Sequence, residues 1–169
     1  MLEPELPKLS EHHDLSGFQC GAAEIDDWLQ KRARKGQQVG NASVYVFAKD
    51  DRVLGFYAFA TGGLERMHAP RAVRQNAPDP VPVVLLARLG VDQSAQGRGI
   101  GYVLMQDAVL RTARVSKDVG FRALLIHCRD EAARGFYLAQ VKNFLESPTD
   151  PLNLFLTTET ILKFASDDE

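Results

Sequence analysis

The clearest chemical signal in this chain lies in residues 96–101, which read QGRGIG. Gly97, Gly99 and Gly101 stand at alternating positions, just ahead of a stretch with helical periodicity. Glycines in this position leave backbone N–H groups uncovered, and the dipole of the following helix adds positive potential to them. The pattern therefore predicts a loop that binds a phosphate or pyrophosphate.

Three phosphate-binding loops have related glycine patterns, and a plain glycine-rich turn is the structural alternative. A Walker loop requires Lys-Ser or Lys-Thr after its last glycine, and neither follows Gly101. The dinucleotide fingerprint requires a third glycine where this chain has Tyr102. The third pattern, Q/R-x-x-G-x-G/A, is filled by Gln96, Gly99 and Gly101. In this pattern the chain resembles the GNAT superfamily of N-acetyltransferases, in which the loop binds acetyl-CoA.

A buried strand is expected to carry this loop. Residues 83–87 form an unbroken apolar run of strand length, which is typical of a strand buried on both faces. Residues 88–91 complete the strand. Gly90, near its end, indicates a bulge or a close approach to the backbone.

The rest of the chain predicts alternating strands and helices in one domain, residues 1–169. The expected helices are 21–34, 99–117 and 131–140, with helical turns at 69–75 and 158–164. The expected strands are a short edge strand at 5–9, a hairpin of 43–49 and 53–60, the central strand, 121–128 and 152–157. A strand, a helix and a strand in this spacing predict a right-handed βαβ crossover. Asp130 is expected to cap the helix that follows it.

This order of elements resembles the GNAT fold over nearly the whole chain. The resemblance implies an α/β (α+β) protein whose mixed central sheet has splayed fourth and fifth strands and is flanked by helices. It also implies that the pantetheine arm of acetyl-CoA pairs with the fourth strand and that the glycine loop holds the pyrophosphate. The cofactor-binding residues it implies are Leu89, Gly90, Val91, Gln96, Gly97, Arg98, Gly99, Ile100 and Gly101.

Phe136 and Tyr137 resemble an FY pair that many members carry on the helix after the fifth strand. The resemblance implies that Tyr137 lies near the thioester sulfur. There a phenol could donate a proton to the departing thiolate. The structural alternative is an aromatic pair that packs the helix on the sheet, which suits Phe136 better than Tyr137.

Three segments carry a narrower resemblance: CGAAEIDDWLQKRARK, VLGFYAFATGGL and RAVRQNAPDPVPVVLLARLGVD. Together they resemble the GNAT toxins of bacterial toxin–antitoxin pairs. The resemblance implies acetylation of the α-amino group of the amino acid on charged tRNA, which stops translation. It also implies a small ribbon-helix-helix antitoxin as partner, and a homodimer. The chain departs from the toxins after the FY pair, where Leu138 and Ala139 replace a frequent Gly-Phe step.

The chemistry favours an α-amine acceptor independently of the family. Acyl transfer needs a neutral amine, and an α-amine with a pKa of about 8 reaches that state more readily than a lysine with a pKa of about 10.4. His127 is the nearest candidate base and Glu131 a weaker one, although each also has an ordinary structural explanation. A backbone N–H near Val91 could stabilise the oxyanion.

Basic residues are the sequence feature that distinguishes a tRNA acceptor from the alternative acceptors, which are a small amine, an antibiotic or a protein N-terminus. A catalytically silent acetyl-CoA-binding regulator is a third hypothesis. The candidates for tRNA binding are Lys31, Arg32, Arg34, Lys35, Arg71, Arg74 and Arg88. Those near residue 34 could equally be cations favoured by a helix C-terminus.

The composition limits the classes of partner, metal site and cellular location that the chain could have. The net charge of −2 argues against indiscriminate nucleic-acid binding but allows a local basic patch. The two cysteines, Cys20 and Cys128, form neither a disulfide framework nor a zinc spacing, so we expect no metal. Without a membrane-spanning run or a signal peptide in the sequence, we expect a cytoplasmic protein.

Overall fold

The computed structural model describes residues 1–166 and has a mixed α+β architecture. Its helices are α1 Ala23–Lys31, α2 Ala33–Gln38, α3 Arg71–Arg74, α4 Ile100–Val115, α5 Glu131–Gln140 and α6 Thr158–Ser166. Its strands are β1 Ser43–Lys49, β2 Arg52–Leu64, β3 Val81–Val91, β4 Ala123–His127, β5 Leu145–Glu146 and β6 Asn153–Thr157. They form one sheet in the order β1-β2-β3-β4-β6-β5. The expected mixed sheet flanked by helices is therefore confirmed.

The chain divides into two compact units. One contains residues 5–60 and 87–105 and includes the glycine loop, and we call it the loop unit. The other contains residues 1–4, 61–86 and those from 106 onward and includes Tyr137, and we call it the tyrosine unit.

In the loop unit, β1 and β2 pair antiparallel as the predicted hairpin, with Asp50 and Asp51 in left-handed conformation at its turn. Helices α1 and α2 supply Leu29 and Ala33, which are fully buried. The fuller core cluster of this unit comprises Leu9, Leu15, Phe18, Leu29, Ala33, Val44, Val46, Val53, Phe56 and Ala58. Through this core, α1 and α2 pack against the β1–β2 hairpin.

Two predictions for the loop unit are corrected. The helix expected at 21–34 is interrupted at Arg32, whose backbone (φ −127°, ψ −20°) leaves the helical region, and α2 begins directly after it. The edge strand expected at 5–9 is reduced to an isolated bridge between Lys8 and Tyr45. Pro7 has no N–H with which to continue a ladder there.

In the tyrosine unit, residues Val83 to Leu86 of β3 pair in parallel with Ala123 to Ile126 of β4. Helix α4 connects these two strands, as expected for a βαβ unit. The pairing ends at Leu86, whereas β3 continues to Val91. Strand β6 pairs antiparallel with β4, and the two-residue strand β5, which was not predicted, pairs with β6. Because the 5–9 segment forms no strand, β3 and β4 are the strands that were predicted as the fourth and fifth.

None of the helices within residues 1–166 has the length and apolar character needed to cross a membrane. Across the same residues, His, Cys, Asp and Glu side chains form no group of three or more that could hold a metal ion.

Candidate active site

The glycine loop has the backbone that its sequence predicts. Gly97 and Gly99 have φ values of +79° and +83°, in the left-handed region that favours glycine. A Cβ built on either residue would have no heavy atom within 4 Å, so the space beside the loop is open. Helix α4 begins at Ile100, immediately after the loop, and its 16 residues supply an aligned dipole. An open, side-chain-free backbone at the N-terminus of a long helix fits a pyrophosphate group.

Asp92 holds the turn that leads into this loop. Its buried carboxylate accepts hydrogen bonds from the Gln19 N–H (2.8 Å), the Ser94 N–H (3.1 Å) and the Ser94 hydroxyl, and Arg52 lies 3.6 Å away. Burial alone would raise the pKa of Asp92, but the hydrogen bonds from Ser94 and Gln19, together with Arg52, outweigh it and lower the pKa. The carboxylate therefore stays charged at neutral pH and ties the start of the loop to the N-terminal segment. No local sequence pattern predicts this role of Asp92.

Gln96 reaches back from the loop to the end of β3. Its side-chain amide nitrogen donates to the carbonyl oxygens of Val91 (2.9 Å) and Cys20 (3.0 Å). In this arrangement the side chain fastens the loop to the strand. Of the predicted cofactor residues around it, Arg98 is exposed and Ile100 is buried.

Gly90 confirms the close backbone approach predicted for β3, and its neighbours belong to this chain. A Cβ at Gly90 would lie 3.3 Å from Cys20 Cβ, from Cys20 Sγ and from a side-chain carbon of Ile25. Since successive residues of a strand point to opposite faces, Leu89 and Val91 point away from α1. Both are half-buried.

The predicted basic residues of the loop unit have different environments. Lys31 lies 3.6 Å from Asp27 in an exposed i,i+4 ion pair, and Arg32 and Lys35 are also exposed. Arg34 is turned inward, and its guanidinium donates to the carbonyl oxygens of Ser10 and His13. Its contacts are those of a structural residue.

Arg88 lies against an aromatic ring. Its guanidinium carbon is 4.4 Å from the centroid of the Trp28 ring, within cation–π range. Burial and the nearby charge of Arg32 lower the pKa of Arg88. Trp28 is the neighbour that both arginines share, since Arg88 lies over its ring and the Arg32 N–H donates to its carbonyl oxygen. The remaining two candidates, Arg71 and Arg74, belong to the tyrosine unit, on the short helix α3.

Tyr137 is buried on α5, with only 8% of its surface exposed. Its ring meets Phe136 edge to face, with centroids 5.2 Å apart. Helix α5 begins as predicted, because the Asp130 carboxylate accepts a hydrogen bond from the Ala133 N–H (2.8 Å). Burial, with a smaller effect of Cys128, raises the pKa of Tyr137 well above its ordinary value. Tyr137 is therefore a protonated phenol at neutral pH.

The candidate bases are both exposed, on the tyrosine unit. Nδ1 of His127 is hydrogen-bonded to Oδ1 of Asn153, which fixes the ring in an orientation set by β6. Glu131 stands in the first turn of α5, where a carboxylate is favoured by the helix dipole.

Comparison with known proteins decides the family. The model of the acetyltransferase (GNAT) domain matches residues 40–140. The chain belongs to the GNAT acetyltransferase family. It is an acetyl-CoA-dependent acetyltransferase, and the open loop ahead of α4 suits the pyrophosphate of that cofactor.

Among curated relatives, the tRNA-acetylating toxin of Mycobacterium tuberculosis is 44% identical over 149 residues, covering 88% of this chain and 89% of that protein. The crystal structure of the KacTA–DNA complex contains a chain that is 28% identical, with a TM-score of 0.80 and coverage of 98% of this chain and 100% of that one. The crystal structure of AtaTR bound with AcCoA contains a chain that is 25% identical, with a TM-score of 0.76 and coverage of 94% and 96%.

Proposed function

We propose that this acetyltransferase is a toxin that acetylates the α-amino group of the amino acid on charged tRNA and thereby blocks translation. The observation that carries the proposal is the likeness, along nearly the whole of both chains, to the mycobacterial tRNA-acetylating toxin. The expected preference of acyl transfer for an α-amine supports it from chemistry alone.

The loop unit binds the acetyl donor. The N–H groups of residues 96–101 bind the pyrophosphate, and Asp92 and Gln96 hold the loop in the shape that this requires. The backbone of Leu89 and Val91 pairs with the pantetheine arm. When bound, acetyl-CoA supplies an acetyl group activated as a thioester. A backbone N–H at the Val91 end of β3 donates to the carbonyl oxygen as negative charge develops on it.

Tyr137 is the general acid. The new C–N bond forms as the C–S bond breaks, and the phenol donates its proton to the departing sulfur. Its raised pKa supports this role, because the proton is retained at the pH at which the enzyme works. An α-amine is partly neutral at that pH, so the reaction depends less on a base than acetylation of a lysine would. His127 is the candidate acceptor of the proton that the amine loses.

Charged tRNA is the acceptor, and the exposed basic residues bind its phosphates. The partner protein is a small ribbon-helix-helix antitoxin, the toxin is a homodimer, and it acts in the cytoplasm, where charged tRNA is found. The two units act as a single acetyltransferase domain, which is supported by a family match that includes residues of both.

The test is a comparison of acceptors with the purified protein and acetyl-CoA. Charged tRNA, a free amino acid, an aminoglycoside and a short peptide with a free N-terminus are supplied separately, and kcat/KM is measured for each. We expect charged tRNA to have a kcat/KM at least about 10²-fold above the others, because only it can use both the acyl site and the phosphate contacts. A higher kcat/KM for any of the small amines or for the peptide would refute the proposal and favour the alternative acceptor class.

A further inference from the structure

Arg88 and Trp28 form a fixed stack on the face of β3 that α1 covers. Arg88 shares this face with Gly90, two residues along the strand, and Gly90 contacts the same segment. Phe56 also packs beside the Trp28 ring, and its own ring is nearly parallel (16°) at a centroid distance of 6.1 Å. The indole is therefore packed against the core of the loop unit and offers a rigid surface to the guanidinium.

Arg32 adds a second positive charge to this stack. It lies one helical turn after Trp28, and its N–H donates to the Trp28 carbonyl oxygen (2.8 Å). Its charge is close enough to Arg88 to lower the pKa of Arg88. We call Arg32 and Arg88 the arginine pair.

The arginine pair has no acidic partner among residues 1–166. Three other cations of the loop unit do have partners: Arg52 faces Asp92, Lys31 faces Asp27, and Arg34 is bound to carbonyl oxygens. Two like charges held together, one of them half-buried, repel each other and lose hydration. An anion from outside the chain would offset both costs.

The position along β3 separates the arginine pair from the pyrophosphate loop. Val91 lies three positions after Arg88 along the strand, a rise of about 10 Å, and the loop begins only after the turn that follows. The anion bound by the pair is thus a different group from the pyrophosphate.

We infer that the arginine pair binds phosphodiester groups of the acceptor RNA and that Trp28 is a positioning residue that presents Arg88 to them. The inference rests on the proposed function, since it names how the charged tRNA is held. Arg88 suits the task because a planar guanidinium can stack on the indole with its face and bind phosphate oxygens with its edge. Trp28 contributes no atom to the RNA in this arrangement.

The experiment measures kcat/KM for charged tRNA between 50 and 200 mM salt, a range of about fourfold. The variants are Arg88→Met, Arg88→Lys, Trp28→Leu and Trp28→Phe, and Arg114→Met is the matched control on an exposed arginine outside the site. Each lost phosphate contact should lower the log–log salt slope by about 0.7–0.9. We expect Arg88→Met to show that loss and to reduce kcat/KM about tenfold at low salt.

Trp28 gives the more specific readout, because its variants keep every charge. Trp28→Leu should lower the salt slope as Arg88→Met does, and Trp28→Phe, which retains a ring, should restore most of it. Arg88→Lys should restore the slope only in part, because an ammonium stacks less well and cannot bind two oxygens at once. The affinity for acetyl-CoA, measured by calorimetry, should stay within about twofold in each variant, which also shows that each is folded.

Other outcomes overturn the inference. Unchanged salt slopes in Arg88→Met and Trp28→Leu would mean that the arginine pair does not contact RNA. If Arg88→Met weakened the binding of acetyl-CoA but not that of its 3′-dephospho form, the pair would be assigned to the 3′-phosphate of the cofactor. A wild-type enzyme that does not acetylate charged tRNA at all would refute the proposed function. In that case direct binding of a tRNA acceptor-stem hairpin to wild type and Arg88→Met decides the inference separately, and equal affinities would reject it.

Discussion

Replacing Gly99 by alanine is the sharpest test of the loop, because the structure isolates a single cause for the effect. The new Cβ would meet no heavy atom within 4 Å, so a steric clash with the rest of the chain is excluded. What remains is the backbone conformation: φ is +83°, and a left-handed conformation costs an L-residue about 1–2 kcal/mol. If the unbound loop of the variant relaxes out of this conformation and the pyrophosphate requires it, the variant must pay that cost on binding. At 1.4 kcal/mol per factor of ten, Kd for acetyl-CoA should rise about 5- to 30-fold.

The assay is isothermal calorimetry with acetyl-CoA, on Gly99→Ala and on Gly17→Ala as control. Gly17 has a similar φ (+75°) and equally open surroundings, but it lies outside the loop. Gly17→Ala should therefore leave Kd unchanged while lowering the free energy of unfolding by about 1 kcal/mol. Gly99→Glu adds a carboxylate beside the pyrophosphate and should abolish measurable binding. Wild-type affinity in both Gly99 variants would refute the assignment of the loop.

Three further predictions concern the general acid and the support of the loop. Tyr137→Phe should lower kcat by about 10²-fold or more with little change in Kd for acetyl-CoA, and normal turnover would make Tyr137 a packing residue. Because the pKa of Tyr137 is raised, the wild-type rate should show no loss from phenol ionisation below about pH 10. Asp92→Asn should lower the free energy of unfolding by about 2 kcal/mol at neutral pH. Because the folded-state pKa of Asp92 is lowered, its contribution to the free energy of unfolding is complete above about pH 4 and is lost as the pH falls through the folded-state value. Chemical unfolding curves of wild type and Asp92→Asn should therefore converge in acid. A difference in stability that is independent of pH would contradict this. Gly55→Ala places a Cβ 2.9 Å from a methyl carbon of Ile100 and should cost about 1–3 kcal/mol in denaturant unfolding, whereas Gly120→Ala, where nothing lies within 4 Å, should not.

The features predicted correctly from the sequence are those that depend on short, continuous segments of the chain. The apolar run before the loop, the alternating glycines and the Asp130 cap each depend on residues within a few positions of one another. Helix α5 accordingly has the predicted bounds, and the loop leads into α4 as expected. The role of Tyr137 as general acid is implied by the resemblance to a family and by no local pattern, and it stays a prediction.

The features missed depend on contacts between distant parts of the chain. The Asp92 carboxylate accepts from the Gln19 N–H, 73 positions away, and Gln96 donates to the Cys20 carbonyl oxygen, 76 positions away. Neither contact has a periodicity or spacing that a sequence could display. The charge of Arg34 is visible in the sequence and predicts a binding residue, whereas the backbone carbonyl oxygens that accept hydrogen bonds from its guanidinium are not visible there. Charge alone could not separate it from Arg32.

The central claim is that the acetyl group is transferred to the α-amine of the amino acid on tRNA. The direct measurement is mass spectrometry of the aminoacyl-adenosine released by ribonuclease from charged tRNA, after incubation with the purified protein and acetyl-CoA, with Tyr137→Phe as the matched control. The account predicts one added acetyl group, located on the α-amino nitrogen by fragmentation, and far less of it with the variant. Unmodified aminoacyl-adenosine, or an acetyl group on the nucleotide, would contradict it.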